Sequence, residues 1–261
     1  MKHQSNILAL KYRPLNFQDL IGQEYLVETI QKSIHQNKIP NAYIFTGIRG
    51  VGKTTTARIV AKMLNCTVFD KNNNPDLINC EQAKAITEDR HPDVIEIDAA
   101  SNTSVENARE IIENVKYHPV LGKYKVYIVD EVHMLSKSAF NALLKTLEEP
   151  PPHSKFIFAT TEISKVPITI LSRCQRFDLR RVEKKTLSDF LKSIAKKEDI
   201  TISNEALNLI VKASDGSVRD SLSILDQANV FKSQEEIQAE EIVNMLGFAR
   251  QGDLYELSKS I

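Results

Sequence analysis

The chain has 261 residues, and its 34 Lys and Arg balance 34 Asp and Glu to a formal net charge of zero. That balance excludes wholesale basicity as a way of holding nucleic acid and leaves only a local patch open. No run of 18 apolar residues offers a membrane span, the first six residues lack a signal core, and three cysteines are too few for a secreted disulfide framework, so a cytoplasmic chain of one large or two modest domains is expected.

Between Leu8 and Gln23, Pro14 disfavours helix at Arg13 and Gly22 marks a turn. Tyr12, Leu20 and Ile21 read by pattern as ordinary core, with one wall of an apolar slot for a purine as the alternative. From Glu24 to Gln36, Leu26, Ile30 and Ile34 recur at every fourth position, which predicts a helix. Ala42 to Phe45 reads as a short buried strand. It runs into Gly47-Ile48-Arg49-Gly50-Val51-Gly52-Lys53-Thr54, which fits the phosphate-loop pattern G-x-x-x-x-G-K-[ST]. Three of the chain's eight glycines lie in these eight residues. Glycine permits turns that a Cβ would block, so successive N–H groups can converge on phosphate oxygens. Lys53 would add charge for the β- and γ-phosphates of ATP, and the Thr54 hydroxyl would ligate Mg²⁺. Gly47, Gly50, Val51, Gly52, Lys53, Thr54 and Thr55 form the expected nucleotide-binding set. Thr55 to Leu64 predicts a helix whose N-terminus faces the phosphates.

Cys66 ends that helix, a polar turn covers residues 70–75, and Cys80 opens a short helix. A structural zinc site uses four Cys or His ligands in close pairs. Two cysteines fourteen residues apart, with His91 further on, read instead as buried thiols. Asp93 to Ala99 predicts a strand, and Thr103-x-x-Glu106 a capping box that starts a helix to about Lys116. Lys125 to Val129 is a second buried strand, with Asp130 and Glu131 at its carboxyl end, where open parallel sheets bind ligands. Asp130 is expected to hold Mg²⁺ through water or Thr54. Glu131 is expected to act as general base toward the attacking water.

A helix from Ser136 to Glu149 is stopped by three prolines, and Lys155 to Thr160 predicts the next strand. Thr160 and Thr161 at its end either orient water or phosphate or simply cap the strand. A helical turn at Ile168 to Leu171 and a fifth, short strand from Gln175 to Leu179 follow. No proline follows Pro167, as in a purely helical second part. Its helices are predicted to be capped by Thr186, Ser203 and Ser217, with a fourth from Ala239 to Met245. Three or four such helices would form a lid over the nucleotide cleft. Arg219 either reaches a phosphate or is a surface arginine beside Asp220. Arg173 has no acid within three residues on either side, so no local sequence partner neutralises it.

Several stretches now occur in a characteristic order: Lys11-Tyr12-Arg13-Pro14, the phosphate loop, Asp98-Ala99-Ala100-Ser101, Asp130-Glu131-Val132-His133, residues 143–150 (LLKTLEEP), Ala159-Thr160-Thr161-Glu162, Ser172-Arg173-Cys174 and residues 216–222 (GSVRDSL). Together they closely resemble the gamma/tau family of bacterial DNA polymerase III, AAA+ ATPases of the sliding-clamp loader, over nearly the whole chain. Replication factor C small subunits share much of the set and are more distant. The resemblance implies an α/β fold: a P-loop AAA+ five-stranded parallel sheet with helices on both faces (1–181), an all-helical lid (182–245), and from 246 to 261 the start of a helical collar domain whose remainder lies outside this chain. It implies an ATPase that loads the clamp onto primed DNA with delta, delta prime and further gamma/tau copies, and that turns over slowly when taken alone.

By the same resemblance, Arg173 is the arginine finger of a neighbour's site, Thr161 or Thr160 the first sensor and Arg219 the second. Tyr12, Arg13, Pro14 and Ile21 then line the adenine pocket. In one respect the chain departs from the family's pattern. The family commonly carries four zinc-binding cysteines after the phosphate-loop helix, and here only Cys66 and Cys80 match, with Leu77 and Ala83 at the other two positions. No tightly held zinc is expected, His91 and Asp70 being the only rescuers. Two other classes compete: a nucleotide-binding stator that never hydrolyses, expected to lose the phosphate loop or Glu131, and another AAA+ machine such as a helicase loader.

Overall fold

The computed structural model describes residues 7–70, 74–101, 105–232 and 235–247. They form two compact units: Pro14–Arg180, and a second that joins the residues up to Arg13 to those from Arg181 onward. The N-terminal segment, with its short helix α1 (Leu8–Lys11), thus parts from the 1–181 domain expected from the sequence and packs on a helix of the second unit.

The larger unit is built on helix α2 (Glu24–His35), strand β1 (Ala42–Thr46), helix α3 (Lys53–Asn65), helix α4 (Glu81–Thr87), strand β2 (Val94–Asp98), helix α5 (Val105–Val115), strand β3 (Lys125–Asp130), helix α6 (Lys137–Glu148), strand β4 (Ser154–Thr160), helix α7 (Ile168–Leu171) and strand β5 (Gln175–Asp178). Its five strands are all parallel, in the order β2-β3-β4-β1-β5. Parallel strands need crossovers, so helices cover both faces and the central strands are buried throughout. The two-residue period then sorts the side chains. Tyr43, Phe45, Val126, Ile128 and Ile157 pack with Leu26 and Ile30 of α2 and Ile59, Val60 and Met63 of α3. Ala42, Ile44, Tyr127, Val129, Phe156 and Phe158 pack on the opposite face with Ala108 and Ile111 of α5 and Phe140, Leu143 and Leu147 of α6.

The smaller unit contains, besides α1, helices α8 (Lys184–Lys197), α9 (Asn204–Ala213), α10 (Val218–Phe231) and α11 (Ala239–Leu246), with α9 packed against the other three. Helices alone were expected here. A parallel pair of two-residue strands, β6 (Thr201–Ile202) and β7 (Glu236–Ile237), is present as well. Ser203 and Ser217 cap α9 and α10 as their spacing predicts, each accepting a backbone N–H three residues on. Thr186 does not cap α8, which begins two residues before it behind Glu183, so its Thr-x-x-Asp pattern falls inside the helix. Thr103 and residues 248–261, hence nearly all of the expected collar segment, lie outside the described residues.

Candidate functional site

The phosphate-loop residues connect β1 to α3. Gly47 has φ +151, and a Cβ there would sit 2.7 Å from the carbonyl oxygen of Leu179. Gly52, in the left-handed region at φ +105, is the N-cap of α3. These two positions explain why the pattern demands glycine. The helix begins at Lys53, two residues earlier than its apolar pattern indicates, so Lys53, Thr54 and Thr55 form its first turn. Val51 and Thr55 are buried. Lys53 is 5 % exposed, and its ammonium donates to the carbonyl oxygens of Gly47 and Ile48, each at 3.0 Å. Burial lowers its pKa, while Glu131 and Asp130 act the other way.

Strand β3 ends beside this loop. The Thr54 hydroxyl donates to Asp130 Oδ2 at 2.6 Å, which joins the two predicted Mg²⁺-associated side chains. Glu131 follows in the left-handed region at φ +46, and its Oε2 accepts the backbone N–H and the hydroxyl of Thr161, at 3.1 and 3.0 Å. Lys53, Thr54, Asp130, Glu131 and Thr161 thus gather at the carboxyl edge of one sheet. A buried ammonium resting on two carbonyls and a hydroxyl–carboxylate pair next to a helix N-terminus form a donor set suited to phosphate and a hard divalent cation.

Pro14 and Ile21 are half-buried in the same unit. Tyr12, Arg13 and Arg219 belong to the other unit. There the Tyr12 hydroxyl donates to Glu198, which raises the tyrosine pKa to about 12, and Lys11 pairs with the same carboxylate at 2.6 Å. Arg219 is exposed in the first turn of α10.

The amino edge of the sheet is furnished differently. Arg173 lies just before β5, at the opposite edge from Lys53. No partner is legible near it in the sequence, yet its guanidinium meets Glu148 at the end of α6 at 2.5 Å and donates to the Thr169 carbonyl at 2.6 Å. Sequence spacing missed this because the acid is 25 residues away.

Asp93, just before β2, was legible only as a strand start. Its carboxylate, 1 % exposed, accepts the N–H groups of Val120, Leu121 and Gly122 at 2.7 Å each. Burial alone would raise its pKa, but the three donors prevail and hold it below the usual carboxylate range. Gln82 donates to the Leu121 carbonyl, Asn65 brackets Tyr124 through its N–H and carbonyl, and His153 contacts the Val115 carbonyl and the His118 ring. The loop so fixed displays Tyr117, Val120 and Leu121 at 66, 77 and 62 % exposure.

In the insert after α3, Cys66 and Cys80 pack with Ala83 and Leu77 in one small apolar cluster. Burial pushes the Cys66 thiol up to about 12. Among the described residues, no three His, Cys, Asp or Glu side chains gather as a metal site.

Residues 22–183 match the family described as DNA polymerase III, delta subunit, and residues 186–234 the ATPase lid domain of the DNA polymerase III clamp loader subunit. The tau/gamma subunit of Haemophilus influenzae is 47 % identical over 92 % of this chain and 35 % of its own length. The tau subunit of Bacillus subtilis is 46 % identical over 96 % and 44 %. The gamma subunit of Buchnera aphidicola (subsp. Schizaphis graminum) is 44 % identical over 97 % of this chain and 69 % of its own. The chain therefore spans less than half the length of the first two relatives. Among solved structures, the Thermotoga maritima RuvB Holliday junction branch migration motor aligns with TM-score 0.65 over 90 % of this chain and 72 % of its own, at 17 % identity, a likeness of fold. With family profiles over both units and 44–47 % identity to the relatives named, the chain belongs to the gamma/tau family of DNA polymerase III subunits.

Proposed function

We propose that this chain is the ATPase part of a clamp-loader motor subunit, which uses ATP binding and hydrolysis to place a sliding clamp on primed DNA in the cytoplasm. One observation carries the reading. The phosphate-loop lysine, the Thr54–Asp130 pair and Glu131 meet at one sheet edge, while Arg173 stands at the other. Glu131 next to the loop disfavours a stator that never hydrolyses.

The loop from Gly47 to Thr55 binds the phosphates, with Lys53 leaving its two carbonyl partners for the β- and γ-oxygens. Mg²⁺, held by Thr54 and Asp130, would neutralise charge on those oxygens. Glu131 takes the proton of the attacking water, and Thr161 orients that water. Within the unit that carries the loop, Pro14 and Ile21 contact adenine. Arg173, facing away from its own phosphate loop, serves the site of the next copy. Delta, delta prime and further gamma/tau copies complete the assembly through the collar that begins at about 246. The fixed loop leaves Val120 and Leu121 exposed beside Lys116 and Lys123, an apolar surface open to a partner. In the insert, Cys66 and Cys80 are packed by Leu77 and Ala83, and two thiols do not close the four-ligand shell of a structural zinc site.

The test is a pair of variants in the full-length subunit with its partners, clamp and primed DNA. Lys53→Ala is expected to weaken ATP binding at least tenfold. Glu131→Gln is expected to bind ATP normally and lose about 10²–10⁴ in turnover. Undiminished hydrolysis in Glu131→Gln would remove it as the base.

A further inference from the structure

His133 carries no role in the reading above, yet it stands at the centre of that site. It lies in a short 3₁₀ turn, Val132–Met134, directly after Glu131. Its side chain is only 6 % exposed. Nδ1 is 2.9 Å from the Thr160 hydroxyl and 3.4 Å from Glu131 Oε2, and Nε2 is 3.5 Å from Glu162 Oε1. One ring therefore touches the ends of both β3 and β4.

The two adjacent threonines are used differently. Thr160 is fully buried, and its hydroxyl accepts the N–H of Glu162 as well as meeting His133. Thr161 is partly exposed, and its hydroxyl goes to Glu131 Oε2, the same oxygen that faces His133. Glu131 itself holds a left-handed backbone, which a residue with a Cβ adopts only when its surroundings enforce it.

Resting on the reading of Glu131 as base, we propose that His133 is a positioning residue. It braces Thr160 against the end of β3, so that Glu131 lies opposite Thr161. Thr160 is then part of the brace, and Thr161 alone is the sensor. Two donors from Thr161 hold Glu131 Oε2 in this arrangement.

The experiment uses the full-length subunit with its partner subunits, clamp and primed DNA, and measures ATP affinity and turnover separately. His133→Ala is expected to lower kcat tenfold or more with ATP affinity within twofold of the parent. His133→Asn, whose amide nitrogen can stand where Nδ1 does, is expected to restore most of that loss. Thr160→Val, which also takes the acceptor from the Glu162 N–H, is expected to lower kcat at least as far as His133→Ala, and the double variant to be no worse than Thr160→Val alone. If His133→Ala does not fold, Thr160→Val against Thr160→Ser reads the same contact from its other side. Turnover within twofold of the parent in His133→Ala, or loss of ATP affinity alongside kcat with no rescue by Asn, overturns the proposal. Glu131→Gln in parallel separates the two levels. If it hydrolyses normally, the base assignment has failed; if it is inactive while His133→Ala is normal, only the brace has failed.

Discussion

The two edges of the parallel sheet make opposite use of charge. At the amino edge, Asp93 is buried and saturated by three short backbone bonds, and it fixes a loop. At the carboxyl edge, Lys53 is equally buried but rests on two carbonyls of its own loop, and Glu131 rests on Thr161. A charge with ideal partners within the chain builds structure, and moving it costs several kcal/mol. A charge with makeshift partners exchanges them for a ligand at little cost. The same comparison separates Arg173 from Asp93 within the amino edge. Its pair with Glu148 is part-exposed, 31 and 49 % on the two sides, so solvent screening leaves it weak and the arginine can let go.

That contrast is most severely tested at Arg173. Arg173→Ala in the full assembly is expected to lower turnover by roughly 10³–10⁵. The isolated chain should keep its thermal midpoint, since an exposed pair is worth at most about 1 kcal/mol. An unfolded variant, or an assembly with full activity, would place Arg173 with Asp93 among the structural charges. Next in size is Asp93→Asn, which removes the charged acceptor from a buried cluster and should cost about 3 kcal/mol in urea unfolding. The pH dependence has a definite sign. Because the folded-state pKa of Asp93 is depressed, its contribution is full above the ordinary carboxylate value, about 3.9, and is lost as pH falls through the lower folded value. The parent should therefore lose stability below about pH 4 more steeply than Asp93→Asn does. An Asp93→Asn variant with parental stability and acid slope would remove the contrast between the edges.

Smaller effects sharpen it. The double substitution Val120→Ser, Leu121→Ser should change stability by no more than about 0.5 kcal/mol, because both side chains already face solvent. A clearly larger loss in urea unfolding would mean that these side chains, and not the bonds to Asp93, hold the loop. The smallest expected effect is none. Metal analysis of the purified chain should find no stoichiometric zinc, and a strong chelator should leave its thermal midpoint unchanged, because Cys66 and Cys80 are already packed by Leu77 and Ala83. A zinc lost on Cys80→Ser would overturn this.

Much of the carboxyl edge was legible in the sequence because its chemistry is local. The phosphate loop is eight consecutive residues, and Asp130 and Glu131 end an unmistakable apolar run. The sheet was legible for the same reason, since fully buried parallel strands read as apolar stretches between turn residues. The amino edge was not. Asp93 bonds residues 27 to 29 positions away, and Arg173 pairs with an acid 25 positions back. Neither partnership leaves a periodic trace. His133 was visible within a motif but mute, because its role depends on Thr160 of a neighbouring strand. Thr186 shows the converse failure: a capping pattern left idle where helix α8 starts nearly one turn early.

The location of Arg173 at the opposite edge from its own phosphate loop has a consequence for counting. On the reading proposed here, a single contact between two copies joins the amino edge of one to the carboxyl edge of the other, so it cannot be reciprocal. Such an interface is heterologous and propagates in one direction. An open arc of copies then has one fewer complete site than it has nucleotide loops: the first copy offers a finger to nothing, and the last waits for one. Whatever terminates the arc must supply a finger at one end and cover an edge at the other, which two identical caps could not do.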